Sequence, residues 1–519
     1  MTAPRPLRTV VIVGVATVLG VAACTPARDV AGAPSTTEVV AASSSTALVA
    51  APTTTGVPRP AWFSDVATSG SPFPGAKVDG LLTFRGNPTR SWHGGGPVPN
   101  APVELWRYPQ GGGLCGTSSE FGETSQWCGT GWTGQPAMWT ASGAWSALGA
   151  RTLVAFGAYD YGVHVLDAAT GRAVVPTFRT GDLTKGSVSI DPDGYPLLYT
   201  GSRDGFLRMI ALDRAEPTEL WRFHAEDVQP TMWNDDWDAS PLVTGGLLLL
   251  GGENSRFHAF RLQRGYGADG KVTAAATLLF HTAGWDDQLL AESGTPAMSI
   301  ENSVALAGTT VYFSNSAGLV QGWDLAGLDD ASGATGRTPE RTFRFWMGDD
   351  QDASIVIDEQ GFLYAAAEYE RSTARATEVG QLVKLDPRRP DDPVVWSLPL
   401  RTGGVPSGVW ATPALHRDLV IVTTNAGEVL GIDRASGAVR WQLDVAGPAW
   451  SSPVVVDGVL IQGDCGGTLR AWDLRDTRVA PPLLWSIRIG GCIESTPAVW
   501  DGRIVVGTRS GQVVAVGDR

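Results

Sequence analysis

From about Leu81 to Arg519 the chain repeats itself, and this constrains its fold more than any other feature. The clearest unit is ATPALHRDLVIVTTNAGEVLGIDRASGAVRWQLDVAG, from Ala411 to Gly447. The next is SSPVVVDGVLIQGDCGGTLRAWDLRDTRVAPPLLWSIRIGG, from Ser451 to Gly491. The last, STPAVWDGRIVVGTRSGQVVAVGD, stops before its fourth segment. Each unit holds short apolar runs cut by turns such as Asp457-Gly458, Asp501-Gly502 and Ser436-Gly437, which is the pattern of strands joined by hairpins. Units of roughly 40–60 residues with four strands each are propeller blades. Eight units begin near Thr133, Lys185, Asp238, Glu301, Asp352, Trp410, Trp450 and Glu494. The eighth lacks an outer strand, while ELWRY, Glu104 to Tyr108, is an outer strand with no blade of its own. Joining the two closes a ring and removes two free edges. The expected fold is an all-β, eight-bladed β-propeller over residues 76–519.

The chain ahead of the repeat is of another kind. Arg5 and Arg8 precede an apolar run from Val10 to Ala23. That run is short for a membrane-spanning helix and reads as a signal peptide over residues 1–23. It closes on Val21-Ala22-Ala23-Cys24, which resembles the bacterial lipobox, and the resemblance implies that Cys24 carries a lipid. Residues 24–75 are rich in Ser, Thr, Ala and Pro and read as a disordered tether. The expected layout is an exported protein, lipid-anchored to the outer face of a bacterial cell membrane. The net charge of −14 argues against nucleic acid, whose binding needs Lys and Arg on phosphates. It argues equally against docking of the folded part on anionic lipid, which leaves the anchor as the sole membrane attachment. Four further cysteines, Cys115, Cys128, Cys465 and Cys492, favour disulfides in an exported chain and allow three pairings.

Gly431-Ile432-Asp433-Arg434-Ala435-Ser436-Gly437, followed by Trp441, resembles the tryptophan-docking motif of PQQ-like quinoprotein propellers. Leu166-Asp167-Ala168-Ala169-Thr170-Gly171 and Ala471-Trp472-Asp473 are partial copies. Trp106, Trp221, Trp396, Trp441 and Trp485 fit the docking role, and Phe84-Arg85-Gly86-Asn87 with Arg90 is similar to the stretch that often opens these domains. The resemblance implies outer-strand tryptophans that glue blades together. It covers quinone-dependent dehydrogenases, lipoproteins that scaffold outer-membrane assembly, and other propellers.

In a propeller the first strand of each blade lines the channel, so the residues that open the eight units share one mouth. Read as a ring, Asp238, Glu301, Asp352 and Glu494 are acidic, Lys185 is basic, and Trp410 and Trp450 are aromatic. The preceding loops add Asp235-Asp236, Asp286-Asp287 and Asp349-Asp350, with Asp182 in the matching place before Lys185. NDDWDASPLV and GDDQDASIV are thus two copies of one motif, two blades apart. Strand alternation brings Arg203-Asp204, Glu253-Asn254, Asn315-Ser316 and Asn425 to the same face. The same topology puts Cys465 and Cys492 in neighbouring blades on this face and expects them to pair, leaving Cys115 with Cys128.

Three functions follow as expectations. The first is a binding or scaffold propeller, without catalysis, holding a protein, glycan or small-molecule ligand; such a chain is expected to be a monomer. The second, implied by the resemblance, is a PQQ- and Ca²⁺-dependent oxidoreductase, with Ca²⁺ on Asp238, Glu301, Asn302 and Asp352 and the quinone against Lys185, Trp410 or Trp450. The third is a structural Ca²⁺ site on those same oxygen donors. PQQ is a tricarboxylate and Lys185 is the one clear cation in the ring, which weighs against the second. Six histidines, among them His164, His258 and His281 in strand-like contexts, with no HExxH, phosphate loop or GxSxG, propose no other catalyst. No catalytic residue is assigned.

Overall fold

The computed structural model describes residues 59–519 apart from 121–122, 132–133 and 329–337. The expected signal peptide, Cys24, the tether as far as residue 58, and Thr133 lie outside the described residues. Eight antiparallel sheets follow one another along the chain. Their innermost strands are Ala137–Thr140, Ser189–Ile190, Leu242–Thr244, Ala305–Ala307, Val356–Ile357, Ala414–His416, Val454–Val456 and Ala498–Trp500. We number the blades 1 to 8 in that order. Blade 1 carries an extra strand, Gly80–Leu81, on its inner edge. Blade 8 is completed by Val103–Tyr108, which pairs with Gln512–Gly517 and closes the ring as expected.

The blades are held together by the expected tryptophans. The Trp106 indole, on the outer strand of blade 8, donates to Ala168 O of blade 1 at 2.8 Å. Trp396, on the outer strand of blade 5, donates to Arg434 O of blade 6 at 3.1 Å. Each ring lies flat on a glycine: a Cβ on Gly171 would meet the Trp106 ring at 2.6 Å, and one on Gly437 would meet Trp396 at 2.8 Å. Both glycines have positive φ, and Asp167 and Asp433 accept backbone N–H bonds across their turns, which is why the motif reads Asp…Gly. In blades 2 to 8 the pairing between the third and outer strands shifts by one residue. Such a bulge increases local twist and re-aims side chains.

A second device runs around the channel. The third residue of most inner-strand openings is Ser or Thr, and its hydroxyl accepts from the backbone of the blade before it. Ser240 N donates to Ser303 Oγ, Ser303 N to Ser354 Oγ, Ser354 N to Thr412 Oγ1 and Thr412 N to Ser452 Oγ, at 2.8–3.0 Å. These buried hydroxyls stitch blades 3 to 7 edge to edge and fix the positions of the residues that open each strand.

Residues 59–75, read as tether, are folded. Trp62 and Phe73 are buried, and Ser64 pairs with Gly308 in the first hairpin of blade 4. The chain then crosses the channel at the end bearing the first hairpins. Arg85 donates to Pro453 O and Pro413 O, both at 2.5 Å. Arg90 donates to Val304 O at 2.7 Å, Thr83 to Pro241 O, and Gln135 to Pro497 O. These carbonyls belong to the fourth residues of the inner-strand openings. Two fully buried guanidiniums therefore plug the channel, with burial lowering each pKa to about 9.

Candidate binding site at the channel mouth

The other end of the channel is bordered by the loops that enter each blade and by the turns between second and third strands. Lys185 opens blade 2 there. Its Nζ lies 2.8 Å from Asp238 Oδ2, 2.9 Å from Asp236 Oδ2 and 3.0 Å from Glu253 Oε1. Gly186 permits this, since a side-chain carbon there would strike the Asp238 carbonyl. Arg203, from the turn of blade 2, lies 3.8 Å from Asp236. Burial opposes the Lys185 charge, but the three carboxylates outweigh it and hold the ammonium well above an ordinary lysine. Burial also acts on Glu253, yet Lys185 holds it below its usual value, while burial lifts Asp236 to about 7 and raises Asp238 strongly. The three carboxylates offer oxygens within 4.8 Å of one another, a spacing a metal could use, and the lysine ammonium occupies that position.

The next blades are different. Glu301 accepts from Ser299 Oγ and faces Glu253 and Asp350. Asp352 faces Glu301, Asp350 and Glu368, and takes a bond from the Trp410 indole. Arg371 approaches Asp350 at 3.4 Å from a partly exposed position. Burial, then mutual repulsion, raises Glu301 and Asp352 well above ordinary carboxyls. Burial lifts Asp350 to about 7, against the pull of Arg371, and burial with the Asp350 charge lifts Glu368 to about 8. Trp410 and Trp450 continue the ring, edge to face with centroids 4.9 Å apart, and both are half-buried. Glu494 pairs with Arg509 at 3.4 Å, and Arg509 lies over Trp127 and Tyr159. Trp127 comes from a hairpin, Cys115–Glu120 with Glu123–Cys128, clamped by the Cys115–Cys128 disulfide. Cys465 and Cys492 are also bonded, as the topology led us to expect.

Sequence comparison matches residues 378–517 to the family described as outer membrane protein assembly factor BamB. Among solved structures, the quinohemoprotein alcohol dehydrogenase of Comamonas testosteroni is similar over 84% of this chain and 80% of its own, at 12% identity and a TM-score of 0.57. BamB of Moraxella catarrhalis covers 81% of this chain and 99% of its own at 12% identity, with a TM-score of 0.38. No curated protein matches the sequence. The chain is an eight-bladed propeller whose residues 378–517 match a PQQ-like repeat model. At 12% identity the dehydrogenase likeness concerns the fold alone, and a shared propeller does not imply shared chemistry.

Within this propeller, the four residues considered as metal ligands line one cavity. Asp238, Glu301, Asn302 and Asp352 line one small cavity of about 10 Å³, floored by Phe84 of the plug. Asn302, however, uses its amide on the fold: Nδ2 donates to Ser314 O and Gln351 O, and Oδ1 accepts from Ser314 N. The ring acids therefore carry what oxygen chemistry the cavity has. The loop pairs separate. Asp236 and Asp350 join the cluster, whereas Asp286 caps the helix Asp287–Ser293 and is bonded by Arg341 and Arg344. Asp349 accepts from the backbone N–H groups of Glu370, Arg371 and Ser372. His258 packs among Trp237, Phe223 and Phe260. Sequence reading missed Glu368, which lies in an insertion of blade 5, and the plug, whose sequence signal was two arginines facing a ring of openings that mostly end in proline.

PQQ, which the family resemblance implies, does not fit these residues. A tricarboxylate needs free cations, and Lys185 is committed to three carboxylates while Arg203 lies beside Asp236.

Proposed function

We propose that this protein is a lipid-anchored surface propeller that binds a positively charged ligand in its channel mouth, without chemistry on the ligand. One observation carries this reading. Asp236, Asp238, Glu253, Glu301, Asp350, Asp352 and Glu368 face one another across the mouth, against Lys185, Arg203 and Arg371. Buried like charges are costly unless protonated or matched by a cation. The plug makes the mouth blind, which suits holding a ligand and not passing one through. Anchorage at Cys24 would present this mouth at the cell surface, and the family description as an assembly factor agrees with a binding or scaffold role.

Calorimetric titration of the full chain with CaCl₂ and with spermidine at low salt tests the reading. At least one cation should bind, more weakly as salt rises, and the Glu301→Gln/Asp352→Asn double variant should lose at least tenfold in affinity. Binding of neither cation, or no effect of the double variant, refutes it. A bound quinone spectrum with alcohol-dependent dye reduction after adding PQQ and Ca²⁺ would overturn the absence of chemistry.

A further inference from the structure

We propose that the ligand's charge is an organic primary ammonium group, seated in the corner between Trp410 and Trp450 with its N–H donors on the neighbouring carboxylates. This rests on the cation-binding reading above and goes further by naming the ligand class. Trp410 and Trp450 open blades 6 and 7, where blades 2 to 5 and blade 8 place charged groups. Ring closure does not require aromatics at this position. The two indoles meet at 78° with centroids 4.9 Å apart, and both remain half-buried at the mouth. Two ring planes at nearly a right angle form a corner that holds a cation by its attraction to the ring faces. The Trp410 N–H bonds Asp352, so the acidic arc begins at the edge of this corner.

A second, independent observation points the same way. Asp238 is 5% exposed; Lys185 pairs with its Oδ2 at 2.8 Å, while its Oδ1 accepts no hydrogen bond from the protein. It lines the small cavity shared with Glu301 and Asp352, next to that arc. A buried acceptor without a donor calls for one from outside.

The mixture of groups selects between cations. A calcium ion takes six to eight oxygen ligands. Blades 6 and 7 place indoles where blades 3 to 5 place carboxylates, and Asn302 is already engaged. An alkylammonium uses both halves: three N–H donors for carboxylates and a methylene stem that packs on indole. The chemistry is shared by a lysine side chain of a partner protein and by a free polyamine.

Calorimetry of the full chain with Nα-acetyl-lysine amide, with spermidine and with CaCl₂ separates the outcomes. We expect amine binding that weakens about tenfold in Trp410→Ala and in Trp450→Ala and by less in Trp410→Phe, with thermal melts showing that the variants are folded. Tighter binding of the lysine amide assigns the site to a protein partner, and tighter binding of spermidine to a free polyamine. Calcium binding without amine binding overturns this inference and leaves the cation-binding reading standing. Binding of neither overturns both. Amine binding that is indifferent to both tryptophans overturns the aromatic corner.

Discussion

NDDWDASPLV and GDDQDASIV are nearly the same sequence and end in different electrostatic states. In the first copy, Asp236 and Asp238 sit on Lys185 and an internal cation fills their site. In the second, Asp350 and Asp352 face Glu301 and Glu368, and their charges are pushed off by burial and repulsion. The cause lies one blade back. Blade 2, before the first copy, supplies Lys185 and Arg203; blade 4, before the second, supplies Glu301 and Asn315. A motif's own residues therefore do not decide whether it is satisfied; its neighbour in the ring does.

The largest test of this difference is Lys185→Met. It strands three buried carboxylates, and breaking a buried pair costs about 3–5 kcal/mol. Because the oxygens lie within 4.8 Å of one another, added Ca²⁺ should recover much of the lost melting temperature. Recovery without calcium, or no loss at all, would mean the cluster is already neutral.

The next contrast is Asp349→Ala against Asp235→Ala. Asp349 is buried and accepts three N–H groups from residues 370–372, so its loss should cost about 2 kcal/mol by urea denaturation. Asp235 is half-exposed near His224, and its loss should stay within about 0.5 kcal/mol. Equal effects would show that the two loops are alike after all.

The copies should also differ in the sign of their pH response. Asp350 and Glu368 are raised to about 7 and about 8, above their unfolded values, and Glu301 and Asp352 are raised too. The stability such groups contribute is full below the unfolded pKa and is lost as pH rises through the folded one. Asp352→Asn should therefore raise the melting temperature at pH 8.5 and change it little at pH 4. Glu253 is lowered by Lys185, so its contribution is present above its unfolded pKa and fades as pH falls. Glu253→Gln should destabilise at pH 8.5. The same sign for both variants at pH 8.5 would abolish the distinction between the arcs.

The last contrast concerns the plug. Arg85→Lys keeps the charge at the far end of the channel but cannot fork between Pro413 O and Pro453 O. We expect a loss of about 1–2 kcal/mol with no change in cation affinity at the mouth. A change in affinity would show that the two ends are coupled.

Much was legible in the sequence because repetition is a local property. Hairpin turns, the Asp…Gly docking turns, the Ser or Thr at most third positions and the closing strand Glu104–Tyr108 each announce themselves within a few residues. Ring order also followed, since consecutive blades are neighbours, and it placed Lys185, Arg203, Asp238, Glu253, Glu301 and Asp352 on one face. What remained hidden depends on distance across the ring. Asp286 and Asp350 both belong to the acidic pairs that precede their blades, yet Arg341 and Arg344 draw the first onto a helix cap while the second turns into the mouth. Asn302 looked like a ligand and proved to be an internal tie. Glu368 entered the site through an insertion with no counterpart in the repeat. The sequence alone determined how many blades there are, how they close and which residues open each blade at the mouth, because strand period and turn chemistry are written locally. Only the tertiary structure decided which acids meet a cation and which meet one another, because charge interactions are set by separation and burial and not by position along the chain.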